Sequence, residues 1–211
     1  MTTDKVYNLI ILDESGSMES IKQATISGFN EVVQTIKGIE IKFPEQQHFI
    51  SLVTFNGFGV KTLLDKTPVA SLTQIDPNTY HPDSMTPLYD AISLSVLKLK
   101  IDLAAIENSN VLVTILTDGE ENASKEFNHS QVKNIINEQK NQGWTFTYIG
   151  ANHDVEKIAR SYSITNTLEF QANAELMKHT FLKESESRLK YSQKIHDKQD
   201  TQNDFYSKEP Q

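Results

Sequence analysis

Three short polar clusters in the sequence carry side chains that could bind a metal ion. The first contains Asp13, Ser15 and Ser17, the second begins at Thr86, and the third contains Asp118. Carboxylate and hydroxyl oxygens are hard ligands, which suit Mg²⁺, Mn²⁺ or Ca²⁺ better than softer metals. The 211 residues include no cysteine, which excludes thiolate metal sites, disulfides and cysteine nucleophiles. The residue types therefore favour a site for one divalent cation.

The chain alternates between strand-length apolar runs and amphipathic segments. Apolar residues at steps of three and four predict helices, whereas the short apolar runs predict strands buried on both faces of a sheet. The predicted strands span residues 6–12, 49–55, 60–64, 111–116, 144–149 and 165–170, and the predicted helices span residues 20–36, 88–106, 130–142, 154–161 and 172–196. This order predicts an α/β fold with a doubly wound, mostly parallel central sheet, one short antiparallel edge strand at 60–64 and helices on both faces.

The candidate ligands lie where these elements begin or end. The cluster at 13–17 directly follows the first strand, and Asp118 lies in a polar turn after a later strand. Thr86 stands where an N-cap is expected for the helix that follows, with Pro87 at the first helical position. Ligands of parallel α/β sheets bind beyond the carboxyl ends of the strands. We therefore expect the three clusters to meet at one rim, where they offer two carboxylates and three hydroxyls.

Each cluster alone also has an ordinary structural explanation. The Asp-x-Ser-x-Ser cluster can cap a helix, Thr86-Pro87 is a common helix start, and Thr117-Asp118-Gly119 is a common turn. Their joint presence at the predicted rim favours a metal site. Glu120 and Glu121 could add charge there, but paired glutamates in an exposed turn are expected to be solvated, and we leave them outside the site.

Composition excludes several classes of function. A net charge of −8 argues against a nucleic-acid surface or an anionic membrane surface, since either needs a concentrated basic face. No apolar stretch approaches the roughly 20 residues of a membrane helix, and we expect a cytoplasmic location. One domain at 1–171 accounts for the predicted core. A helical extension with a narrow apolar face follows at 172–196, and the polar composition of 197–211 predicts a disordered tail.

Taken together, the clusters closely resemble the von Willebrand factor type A (vWA) family with its metal-ion-dependent adhesion site. The family pattern is Asp-x-Ser-x-Ser, then a distant Thr, then an Asp in a Thr-Asp-Gly turn, and this chain carries Asp13, Ser15, Ser17, Thr86 and Asp118 in that order. The stretches at 86–92 and 149–152 also resemble stand-alone bacterial members, so that the resemblance covers roughly residues 5 to 170. One departure is that the family often has Gly or a similarly small residue two positions before the Thr, whereas Ser84 and Met85 occupy the approach to Thr86 in this chain.

The resemblance implies a Rossmann-like vWA fold and a binding function without catalysis. It implies that Ser15, Ser17 and Thr86 bind the metal directly, and that Asp13 and Asp118 bind it directly or through water. Mg²⁺ is the expected cation, with Mn²⁺ and Ca²⁺ as alternatives. A Glu or Asp from a partner protein is the expected additional ligand, since a dication with two nearby carboxylates keeps positive character.

Two other functions stay open at this point. The same site could belong to a metal-dependent hydrolase or phosphatase with Asp13 as nucleophile, or to a serine hydrolase, although Glu14-Ser15-Gly16-Ser17 lacks the usual Gly-x-Ser-x-Gly elbow. The metal could also be purely structural in a scaffold protein.

Overall fold

A computed structural model describes residues 3–72, 74–151, 154–170 and 174–206. In these ranges the strands are β1 (Asp4–Asp13), β2 (Gln46–Asn56), β3 (Gly59–Pro68), β4 (Ser109–Thr117), β5 (Thr145–Gly150) and β6 (Asn166–Glu169). The helices are α1 (Lys22–Lys42), α2 (Leu88–Leu103), α3 (His129–Asn141), α4 (Val155–Ser161) and α5 (Ala174–His196), with 3₁₀ turns at Gly16–Ile21 and Val69–Ser71. Parts of three predicted segments lie outside these ranges. They are Asn152 of the stretch at 149–152, residues 171–173 at the start of the helical extension, and residues 207–211 of the tail.

The strands form a single sheet with the order β3-β2-β1-β4-β5-β6. Strands β2, β1, β4, β5 and β6 are mutually parallel, and β3 runs antiparallel to β2 at one edge. The predicted fold class is therefore confirmed. The antiparallel strand is longer than predicted, because it continues to Pro68 before the irregular connection to α2 begins.

Helices cover both faces of the sheet, and strand β1 shows how the sequence achieves this. Leu9 and Ile11 pack into the core beneath α2, α3 and α4, whereas Ile10 and Leu12 pack into the core beneath α1 and α5. Alternate side chains of a strand point to opposite faces, so a run without polar interruption buries both. β1 thereby lies at the centre of the fold, and its carboxyl end at Asp13 is held by strands on either side.

Helix α5 docks firmly on the sheet, although its sequence offers only a narrow apolar face. Met177 and Phe181 enter the core beneath α1. Further along the helix, Glu184 and Arg188 form a 2.8 Å ion pair with side chains only 1% and 2% exposed. Two of the charges that made the helix look exposed in the sequence therefore pair with each other beneath it.

The predicted disordered tail is also different in the structure. Phe205 is buried, and its backbone amide donates a hydrogen bond to Asn166 at the start of β6. The Tyr206 hydroxyl donates a hydrogen bond to the buried carboxylate of Glu184. Residues 197–206 thus pack on the domain in the structure, which differs from the disorder that their composition predicts. Among the described residues, no helix combines the length and the apolar character required to cross a membrane.

Candidate functional site

Asp13 ends β1 with a carboxylate that is buried and doubly hydrogen-bonded. Its Oδ1 accepts a 2.7 Å hydrogen bond from the amide of Ser15, and its Oδ2 accepts a 2.6 Å hydrogen bond from the hydroxyl of Thr117. The backbone carbonyl of Asp13 accepts a further bond of 2.6 Å from the Tyr80 hydroxyl. Because Thr117 ends β4, the carboxylate is fixed at the point where two neighbouring parallel strands terminate.

The two serines connect this loop to the loop after β4. The hydroxyl oxygens of Ser15 and Ser17 lie 3.2 Å apart. Ser17 donates a 2.6 Å hydrogen bond to Oδ1 of Asp118. Ser15 and Asp118 are buried, whereas Ser17 is exposed, so the cluster has a buried base and a side open to solvent.

Thr86 enters the same cluster from the irregular connection before α2. A Cβ atom built on Gly119 would lie 3.3 Å from Oγ1 of Thr86 and 3.9 Å from Oγ of Ser17, so all three residues share one small space. The absence of a side chain at Gly119 leaves that space to the two hydroxyls. The structure therefore brings together all five residues that the sequence nominated.

Thr86 does not occupy the N-cap position that the sequence predicted for it. Helix α2 begins at Leu88, Pro87 occupies the N-cap position, and no side chain caps the helix there. Thr86 is instead held through its backbone, because its amide donates to Oδ1 of Asn122 at 2.8 Å and its carbonyl accepts from the Asn122 amide at 3.1 Å. Its hydroxyl is thereby directed toward the cluster rather than toward the helix.

Ser84 explains how the loop tolerates the departure from the family pattern. It has φ +69°, in the left-handed region that glycine adopts without strain and other residues rarely occupy. Its carbonyl accepts a 3.0 Å hydrogen bond from the amide of Gly16 in the first ligand loop. The backbone thus keeps a glycine-like conformation with serine present, and this conformation joins the first and second ligand loops.

Glu121, which we left outside the site as a solvated residue, is a positioning residue. Its carboxylate accepts hydrogen bonds from the amides of Tyr89, Ala123 and Ser124 and from the Ser124 hydroxyl, all between 2.7 and 2.8 Å. This arrangement fixes the loop after Asp118 to the first turn of α2. Glu120, in contrast, is exposed, as expected.

Two further acids that the sequence analysis did not single out also hold the loops. Asp90 in the first turn of α2 accepts hydrogen bonds from the amides of residues 125, 126 and 127. Glu14 is buried and accepts a 2.5 Å hydrogen bond from the amide of His81, whose ring contacts the carbonyl of Asn78 instead of the cluster. For Asp90, the available sequence signal was an acidic residue in the first turn of a helix. This signal also occurs in helices that hold no such loop.

The electrostatics of the cluster fit a cation. Burial raises the pKa of Asp13 to about 6, the hydrogen bonds from Thr117 and Ser15 oppose the rise, and the nearby charge of Asp118 adds to it. Among the residues that the structure describes, no positively charged side chain contributes to the shift in the pKa of Asp13. Two buried carboxylates and three hydroxyls form a hard oxygen donor set, and a divalent cation between them would supply the counter-charge. The residues present therefore fit the metal that the resemblance implies.

Comparison with solved structures defines the fold. The structure is similar to a von Willebrand factor type A protein from Catenulispora acidiphila (14% identity, TM-score 0.60, covering 89% of this chain and 43% of that one). It is also similar to the pilus adhesin SpaC from Lactobacillus rhamnosus GG in an open conformation (13% identity, TM-score 0.62, 90% and 30% covered) and to the SpRpn10 VWA domain (12% identity, TM-score 0.54, 82% and 92% covered). The chain therefore has the vWA fold.

The likeness extends over only part of two of these proteins. This chain spans less than half the length of the Catenulispora and Lactobacillus proteins. No protein-family model matches the sequence, and no curated protein matches it.

Proposed function

We propose that this chain is a metal-dependent protein-binding module. In this proposal Asp13, Ser15, Ser17, Thr86 and Asp118 hold a divalent cation, with Mg²⁺ as the expected ion and Mn²⁺ or Ca²⁺ as alternatives. The cation binds a Glu or Asp side chain of a partner protein. The observation that carries the proposal is the convergence of these five oxygen-bearing side chains from three separate loops at one end of the sheet.

The exposure of the cluster supports a role in binding. Its base is formed by buried Asp13 and Asp118, whereas Ser17 lies at the exposed side. A cation held in this way has protein oxygens on the inner side and can accept a ligand from the outer side. A carboxylate is the natural ligand, since the cation keeps positive character beside only two acids.

The hydrogen bonds to the Asp13 carboxylate argue against a catalytic use of this residue. Both of its carboxylate oxygens accept hydrogen bonds, one from Ser15 and one from Thr117. An oxygen fixed in this way is suited to hold a ligand in place, whereas a nucleophile needs an oxygen directed at the substrate. We therefore rank a hydrolase or phosphatase below the binding module.

Calorimetric titration with Mg²⁺, Mn²⁺ and Ca²⁺ tests the metal site. We expect the wild type to bind at least one of these ions, Asp13→Ala to lose binding, and Glu120→Gln to bind as the wild type does because Glu120 is exposed and outside the ligand set. At about 100 times its Kd, the ion should stabilise the fold by about 2.7 kcal/mol. A wild type that binds none of the ions, or Asp13→Ala that binds like the wild type, would refute the proposal.

Partner capture with and without EDTA then separates a functional metal from a structural one. We expect capture in Mg²⁺, loss of capture in EDTA, and loss in Ser17→Ala, which removes a hydroxyl at the exposed side. If Ser17→Ala loses metal binding but captures the same partner, the metal is structural. Turnover of generic phosphate or acyl esters that disappears in Asp13→Ala would instead favour the enzyme.

A further inference from the structure

Two large apolar side chains are exposed next to the candidate metal site. Phe58 is 80% exposed and Met85 is 54% exposed. Single exposed apolar residues are ordinary on a protein surface. These two differ because Met85 immediately precedes the candidate ligand Thr86, and Phe58 lies in the turn that contacts the same loop.

The contact between the turn and the loop is close. A Cβ atom on Gly57 would lie 2.2 Å from Oγ of Ser84 and 3.0 Å from the amide nitrogen of Met85, so the two segments meet closely and a side chain at this position would force one of them to shift. The carbonyl of Phe55, just before the turn, accepts a 2.8 Å hydrogen bond from the amide of Glu14 in the first ligand loop. The turn between β2 and β3 is therefore part of the wall around the site.

A groove of about 390 Å³ extends along this wall. Its lining includes Glu14, Phe58, Lys61, His81 and Asp83. The Glu14 carboxylate is already engaged by the amide of His81. Lys61 is exposed and forms no ion pair with any residue that the structure describes. Asp83 carries the opposite charge on the same groove, so the attraction from Lys61 to an acidic ligand is modest.

We propose that the partner presents an extended acidic segment to this surface. Its metal-binding Glu or Asp is accompanied by a large apolar side chain that packs on Phe58 and Met85, and a second carboxylate reaches Lys61. The inference rests on the proposed function, since the carboxylate for the cation sets the position of the segment. The proposed cation selects the first acidic residue, the exposed Lys61 favours the second, and the exposed aromatic ring and thioether select the apolar one.

A peptide library with a fixed central Glu and three random positions on each side tests the inference on the full chain in Mg²⁺. We expect selection to enrich peptides with Leu, Ile, Phe or Met within two positions of the Glu, together with an additional acid. For an enriched peptide, fluorescence polarisation should give an affinity about tenfold lower in Phe58→Ser, the loss expected for one buried apolar group. Lys61→Ala should lower the affinity about threefold, as for one exposed ion pair.

The chain offers a matched control at the other end of a helix. Ile101 is 74% exposed and lies about 20 Å along α2 from the loop that carries Thr86. Ile101→Ser should leave the peptide affinity unchanged, and Phe58→Ser should leave Mg²⁺ binding unchanged because Phe58 is not in the ligand set.

The outcomes separate this inference from the proposed function. Enriched peptides without an apolar preference, or equal affinities in the wild type and Phe58→Ser, would overturn the inference while Mg²⁺-dependent binding of carboxylates stood. A chain that binds Mg²⁺ but no peptide also overturns it. A chain that binds no divalent cation refutes the proposed function itself.

Discussion

The Ser17 hydroxyl donates a 2.6 Å hydrogen bond to Oδ1 of Asp118, a residue 101 positions further along the chain. This contact joins the loop after β1 to the loop after β4. Asp13 and Thr117 form a second 2.6 Å connection between the same two segments. Direct hydrogen bonds of the protein therefore hold the candidate ligands in register, and this pre-formed arrangement reduces the ordering required when a cation binds.

Asp118→Asn is expected to separate stability from metal binding. The amide keeps an oxygen that can accept the hydrogen bond from Ser17, but it removes a charge that raises the pKa of Asp13. We expect the free energy of unfolding in EDTA to stay unchanged or to rise by up to about 1 kcal/mol, since functional sites often hold unfavourable charge. We also expect Mg²⁺ binding to be lost. Urea unfolding in EDTA and calorimetry provide the two measurements, and a loss of more than about 2 kcal/mol in EDTA would contradict the prediction.

Glu121→Ala is expected to destabilise the loop around the site. The substitution leaves the amides of Tyr89, Ala123 and Ser124 without their acceptor, and we expect a cost of about 2 kcal/mol. Mg²⁺ binding should weaken as well, because the next residue, Asn122, holds the backbone of Thr86. Glu120→Ala is the matched control and should change stability by no more than about 0.5 kcal/mol. Equal effects of the two alanine substitutions would show that Glu121 does not position the loop.

The contrast between these neighbouring glutamates shows what the sequence could predict. Asp13 and Asp118 follow strand-length apolar runs, and parallel strands bring their carboxyl ends to one rim, so the convergence could be predicted. Whether a glutamate in a turn is solvated depends on which backbone amides the neighbouring loop presents to it. That loop is brought close only by the tertiary fold, and Glu120 and Glu121 are equivalent in the sequence.

The same reason explains the difference at the C-terminus. Residues 197–206 are polar, and their composition predicted disorder. Their docking depends on residues far away in the chain, because the Phe205 amide donates a hydrogen bond to Asn166 and the Tyr206 hydroxyl donates one to Glu184. The spacing of Glu184 and Arg188 is that of an ion pair on a helix, but the spacing is the same for exposed pairs, so it did not identify this pair as buried.

Gly28→Ala is expected to disturb the contact between α1 and α5. A Cβ atom at this position would lie 1.9 Å from Cδ2 of the Phe181 ring, well inside van der Waals contact. We expect a loss of about 2 kcal/mol or more in urea unfolding, since the ring must move in a packed core. Gly38 lies in the same helix, and no atom of the described residues lies within 4 Å of its Cβ position, so Gly38→Ala should stabilise by about 0.5–1 kcal/mol. A neutral result for Gly28→Ala would mean that α5 is packed more loosely than the structure shows.

Tyr206→Phe is expected to test the docking of the C-terminal segment. The phenol donates a hydrogen bond to Oε2 of Glu184, a carboxylate that is only 1% exposed. The substitution keeps the ring but removes the donor, and we expect a loss of about 1–2 kcal/mol because a buried charged acceptor loses a partner. In a Glu184→Gln background the same substitution should cost less, because the bond is no longer charge-assisted. Equal costs in the two backgrounds would show that the charge of Glu184 does not strengthen this hydrogen bond.

His48→Leu is expected to remove part of the acid sensitivity of the fold. His48 is 2% exposed, and neither ring nitrogen has a hydrogen-bond partner among the residues that the structure describes. Burial, and secondarily the charge of Arg188, lower the pKa of His48 from 6.5 to about 4. The unfolded chain therefore binds more protons than the folded chain between these values, so the free energy of unfolding falls as the pH is lowered.

The size of this effect and its pH window can be measured against the variant. The contribution of neutral His48 is present above about pH 6.5, decreases as the pH falls, and amounts to a loss of about 3 kcal/mol near pH 4. Urea unfolding of the wild type and His48→Leu at intervals from pH 7 to pH 4 isolates this loss, since the other titrating groups are common to both proteins. We expect the stability of the wild type to fall more steeply than that of the variant over this range. Parallel stability curves would show that His48 takes up its proton in the folded chain as readily as in the unfolded chain.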